Sequence, residues 1–61
     1  MNVAKYQQNK KVVTYCTENG TQIVKLTTTK TDNAVFYRGT SVKKAKQMFS
    51  DLVNKIENNV I

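Results

Sequence analysis

Three lysines, Lys43, Lys44 and Lys46, fall in the stretch Val42-Lys43-Lys44-Ala45-Lys46, where the apolar pattern predicts the first turn and a half of a helix. A helix N-terminus carries partial positive charge and prefers carboxylates. Here the helix acids, Asp51 and Glu57, come only later in the chain. The N–H groups of a first helical turn bind anions, and ammonium groups beside them would hold a phosphate. The plain alternative is a solvated lysine face, since lysine is a good helix former and each unfavourable charge costs only about 0.3–1 kcal/mol.

A second set of residues belongs to a sheet. The register derived below puts Thr14, Lys25, Thr27 and Thr29 on one face, with Arg38 joining them in one of two registers of the last strand; Lys11 and Lys30 fall elsewhere on the sheet and at its edges. Short hydroxyl side chains beside Lys and Arg suit a sheet laid into a DNA groove: threonine methyls meet thymine, arginine addresses guanine, and lysines hold phosphates. Against this stands the ordinary polarity of an open antiparallel face, on which threonine is simply a good strand residue. Val12, Cys16 and Ile23 share that face, which also suits contact with a second copy of the chain. Of the aromatic residues, whichever of Phe36 and Tyr37 faces outward is available for base stacking, while Tyr15 and Phe49 are expected in the core.

The inventory argues against catalysis. There is no histidine, and Cys16 is the single cysteine, without a base to activate it. The set of ligands that a zinc site requires is missing, the four acids are scattered, and no phosphate-cradling glycine loop is present. The expectation is therefore a protein that is not an enzyme and takes no cofactor or metal. Ten Lys and Arg against four Asp and Glu give a formal charge of +6, an excess that attracts nucleic acid first and acidic protein surfaces second. No apolar run reaches the roughly 20 residues of a membrane span and no signal-peptide pattern opens the chain. A lone cysteine fits a reducing compartment, so the cytoplasm is the expected location.

The positioning elements follow from hydrophobic period and turn chemistry. Residues 1–9 mix amides with isolated apolar residues and read as a flexible arm or a short edge strand; residues 10–61 read as one small domain. Asn19-Gly20 lies between "KKVVTYCTE" and "TQIVKLTTTKT", two stretches rich in β-branched residues. Asn-Gly favours a two-residue hairpin loop, and that loop pairs Glu18 with Thr21, Tyr15 with Val24 and Val13 with Leu26. Four large side chains then share one face, so turn chemistry and burial agree. A second turn at Asp32-Asn33 leads into "AVFYR". A two-residue loop there puts Val35 and Tyr37 on the core face; a three-residue loop puts Phe36 and Arg38 there. After Gly39, Thr40 or Ser41 caps a helix whose apolar stripe is Val42, Ala45, Phe49, Leu52 and Ile56, widened by Met48 and Val53. Asn58 and Asn59 end it, leaving Val60 and Ile61 as an apolar tail. The expected fold is α+β: a three-stranded antiparallel meander packed against one C-terminal helix.

With Tyr37, Gly39, Thr40 and Ala45 at the junction of last strand and helix, this order of elements resembles the sheet-plus-helix DNA-binding domains of plant ethylene-response factors. It is similar also to the arm-binding domains of some transposon and phage integrases. The resemblance implies a sheet that contacts DNA. The expectation is a small basic module that binds nucleic acid, duplex DNA above all, through Lys25, Thr27, Thr29 and Arg38, with Lys43, Lys44 and Lys46 as phosphate anchors. The alternative is a small protein that docks on an acidic protein surface, such as a phage or mobile-element inhibitor of a host protein, and a homodimer is a third possibility.

Overall fold

The computed structural model describes residues 2–60; Met1 and Ile61, the outer ends of the expected arm and tail, lie outside the described residues. The elements run β1 (Asn2–Gln8), β2 (Lys11–Glu18), β3 (Thr21–Thr27), β4 (Ala34–Gly39) and α1 (Val42–Glu57). All neighbouring strands are antiparallel and lie in chain order, β1-β2-β3-β4. The fold is α+β with a C-terminal helix, and its sheet has four strands where three were expected.

The additional strand is β1, which adopts the edge-strand alternative of the two readings of residues 1–9. Asn9 takes a φ of 56°, the left-handed conformation that asparagine tolerates better than most residues, and with Lys10 it closes a two-residue connection. Gln8 then pairs with Lys11, Tyr6 with Val13 and Ala4 with Tyr15. Ala4 and Tyr6 point inward and pack against the core, while Lys5 and Gln7 alternate to the other face. The amides of this segment masked a regular alternation that runs from Ala4 to Gln8, in which the apolar residues, Ala4 and Tyr6, both face inward.

The β2–β3 hairpin has the expected register, from Glu18 opposite Thr21 to Val12 opposite Thr27. Its turn is made by Asn19 at φ 51° and Gly20 at φ 81°. The β3–β4 connection is longer than a tight turn because β3 ends at Thr27 and β4 starts at Ala34. Thr29, expected on a sheet face, therefore lies in this connection. The Thr28 side chain accepts hydrogen bonds from the backbone N–H groups of Lys30 (3.2 Å) and Thr31 (3.0 Å), so the backbone folds over instead of continuing the ladder.

Neither expected register of β4 is adopted whole. Tyr37 lies opposite Val24 and Ala34 opposite Leu26, both on the helix side, whereas Val35 lies opposite Lys25 on the other. The mismatch is absorbed at Phe36, the extra residue of a β-bulge. β1 has a similar irregularity at Val3, between Asn2 opposite Cys16 and Ala4 opposite Tyr15. Both edge strands are thus bulged.

Helix α1 packs on β2, β3 and β4. Val13, Tyr15, Val24, Leu26, Ala45, Leu52 and Ile56 form the buried core, with Met48 and Phe49 packed against it. The Tyr15 and Phe49 rings are 6.5 Å apart at 45°. Val42, expected in the stripe, is 46% exposed; it is the first helical residue, where the helix has only just left β4. Gln22 is the buried polar residue among the described residues, and its amide is satisfied: Tyr15 Oη donates to Oε1 at 2.6 Å, and Nε2 donates to Thr17 Oγ1 at 3.1 Å.

Both helix ends are closed locally. Ser41 is the N-cap, its hydroxyl accepting from the Lys44 N–H at 3.2 Å. At the other end Asn59 is left-handed (φ 57°), with Asn59 N–H donating to the Ile56 carbonyl and Val60 N–H to the Lys55 carbonyl. That pair of bonds is the Schellman arrangement that satisfies terminal carbonyls.

Candidate functional site

The face of the sheet opposite the helix is open, and its residues can be read along rows that cross the strands. One row is Lys5, Thr14, Lys25 and Val35; the next toward the β2–β3 turn is Cys16, Ile23 and Arg38; on the other side lie Gln7, Val12 and Thr27. Lys5 and Arg38 are exposed, while Thr14, Lys25 and Thr27 are half-buried by their neighbours. Lys5 and Lys25 are separated by β2, about 10 Å at two strand spacings. Val12, Cys16 and Ile23 are half-buried and Val35 is 53% exposed. Near the β2–β3 turn, Glu18 and Arg38 line one shallow depression with Thr21 and Ile23.

Of the residues expected to bind, Lys25, Thr27 and Arg38 are brought to this face together, and Thr29 is not. Thr27 has a local task as well. Its hydroxyl accepts from the Asn33 N–H at 3.1 Å and lies 3.4 Å from Asn33 Oδ1, tying the end of β3 to the start of β4. Lys5 is the member that sequence reasoning missed. The signal was present: a two-residue loop at Asn9-Lys10 pairs Lys5 with Thr14, beside Lys25.

The lysines of the helix start lie elsewhere. The buried residues of α1 are Ala45, Leu52 and Ile56. At about 100° per residue, Lys43 sits about 160° from that stripe, and Lys44 and Lys46 lie about 100° to either side of it. The three side chains diverge, and they occupy the side of the molecule away from the open sheet face. The first turn of α1 contains no acid. Two of its four orphan N–H groups are already engaged, Ser41 by Tyr37 Oη at 3.2 Å and Lys44 by Ser41 Oγ at 3.2 Å. Gly39 makes the first of these contacts possible, because a Cβ there would stand 2.7 Å from Tyr37 Oη.

A further groove, of about 470 Å³, lies at the opposite end of the sheet from the helix start and is lined by Lys11, Leu26, residues 28–31 and Phe36. The outward aromatic of β4 is thus Phe36, 45% exposed, whereas Tyr37 packs against the core. Among the described residues, no three of His, Cys, Asp and Glu gather where they would hold a metal ion, and no helix is long and apolar enough to cross a membrane. Comparison of the chain with protein-family models, with curated proteins and with solved structures finds no match.

Proposed function

We propose that this chain is a small non-enzymatic module that binds nucleic acid by laying the open face of its sheet on duplex DNA. The observation that carries the reading is the composition of that face: Lys5, Lys25 and Arg38 are spread over it, threonines stand between them, and Glu18 is confined to one end. A four-stranded sheet covered by a helix on one face only offers the side chains of its other face directly to a groove, where lysines neutralise phosphates and Arg38 and Thr14 meet base edges. Lys43, Lys44 and Lys46 add to the +6 field that steers an anion toward the molecule. Their divergence gives them a long-range part rather than one shared contact.

Salt titration of duplex binding tests this reading. Affinity is expected to fall steeply with salt, and each of Lys5→Ala and Lys25→Ala should reduce the logarithmic slope by about 0.9 if it holds a phosphate. Absence of binding at low salt would refute the proposal.

A second reading is favoured by Val35, 53% exposed beside Lys25 and one row from Ile23. Apolar residues interleaved with cations suit an acidic protein surface as partner. A partner that stays bound after nuclease treatment, and is lost with Val35→Asp, would favour it. A face-to-face pair of identical chains is disfavoured electrostatically, since it would bring two sets of Lys5, Lys25 and Arg38 together.

A further inference from the structure

We infer that the groove between Phe36 and the β3–β4 turn is a separate site for an unpaired nucleotide of a single-stranded nucleic acid, its base on the Phe36 ring and its phosphates on Lys30 and Lys11. Leu26 and, by strand alternation, Lys11 belong to the helix-facing side of the sheet, so this site is distinct from the open face and does not rest on the duplex reading.

Four observations meet here. The bulge leaves Phe36 out of the regular pairing of β4 and 45% exposed, where it forms a wall of the groove. Among the described residues, the lining holds Lys11 and Lys30 and no acid, a balance that favours an anion. The turn that presents Lys30 is built in advance. Thr28 N–H donates to the Thr31 carbonyl at 2.6 Å, and the Thr28 hydroxyl accepts from the N–H groups of Lys30 and Thr31. Binding therefore need not order that backbone. Finally, a volume of about 470 Å³ lies within the roughly 300–1,000 Å³ range of small-ligand sites.

A planar ring beside ammonium groups matches a base with its phosphate. A run of acidic residues alone would engage the lysines but leave the ring unused, whereas every base offers a face to stack. A strand is favoured over a free mononucleotide because the groove is open and its two lysines come from different elements, β2 and the turn.

The chain contains no tryptophan, so Phe36→Trp installs a single indole at the groove, which can be excited selectively over the tyrosines. Short oligothymidylate at low salt should quench its emission, and a duplex of equal length should not. Phe36→Leu keeps an apolar side chain and removes the ring. It should weaken single-strand binding by about 5- to 150-fold, the worth of one stacked base, and Lys30→Ala should flatten the salt dependence.

Several results would overturn the inference: no single-strand binding by anisotropy, binding by the Phe36→Trp variant without any change in its indole emission, wild-type affinity in Phe36→Leu, or thymidine monophosphate binding as tightly as the oligomer. Duplex affinity, and its response to Lys25→Ala, is read separately, so failure at this groove is distinguishable from failure of the sheet-face proposal.

Discussion

The two faces of the sheet draw on similar residue types and meet different fates. On the helix side, Val13, Tyr15, Val24 and Leu26 are at most 4% exposed. On the other, Val12, Cys16 and Ile23 remain half-buried and Val35 more than half exposed, with Lys5, Lys25 and Arg38 among them. Valine, isoleucine and threonine favour strands regardless of face, so β propensity alone does not separate the two. The difference comes from α1, a single helix that covers only one side. Stability is concentrated on the covered side, and residues on the open side are correspondingly free to serve a partner.

Leu52→Ala should give the largest effect. Leu52 is 1% exposed under the helix, and loss of such a side chain costs about 2–5 kcal/mol, comparable with the whole stability of a domain this small. Urea denaturation should find the variant partly or wholly unfolded, whereas Ile23→Ala on the open face should cost only about 1 kcal/mol. Equal losses would break the contrast between the faces.

Gly39→Ala should come next. The added Cβ meets Tyr37 Oη and threatens its bond to the Ser41 N–H, a crowding expected to cost about 1–3 kcal/mol. Combined with Tyr37→Phe, which removes the nearest atom, the loss should be smaller than the sum of the two single changes. Additive losses would mean that the contact does not position the helix start.

The smallest stability change sharpens the comparison from the functional side. Lys43→Glu puts a carboxylate in a first turn that has none and should raise stability by about 0.3–1 kcal/mol, readable as an upward shift in Tm. Lys25→Glu should change stability by no more than about 0.5 kcal/mol while sharply weakening duplex binding. If Lys43→Glu abolished binding as completely, the helix start and not the sheet would be the contact surface.

The hairpin was legible because two independent signals, the Asn19-Gly20 turn and the burial pattern, specify one register. The helix was legible from its stripe, and its stop from Asn58-Asn59. The first strand was obscured because its inward residues are only Ala4 and Tyr6, and because Asn9-Lys10 lacks the glycine that makes a turn conspicuous. The register of β4 was not legible at all. A bulge adds one residue without a composition of its own, and at Phe36 it mixes the two alternations that the sequence permits. Thr29 was misplaced for a related reason: a threonine run reads as strand, yet the Thr28 hydroxyl captures two backbone N–H groups that a ladder would have used. Of the sheet set, Lys25 and Thr27 were readable from the hairpin register; Arg38 depended on the undecided register of β4, Thr29 was misplaced and Lys5 was missed. The divergence of the helix lysines required only the helical period, and Ser41 was one of two cap candidates; the engagement of the Ser41 N–H by Tyr37 is set by the tertiary fold and has no local signature.

The bulges at Val3 and Phe36 sit in the two outermost strands. An open sheet otherwise offers each edge as a template on which another chain can lay a strand, the first step toward fibrils. With an extra residue in each edge, the hydrogen-bonding row is interrupted on both sides, near the start of β1 and within β4, which shortens the straight run open to a partner strand. For a protein whose sheet also has an uncovered face, that interruption is a safeguard against strand addition: when crowding brings copies together, the edges give them only short tracks along which to polymerise.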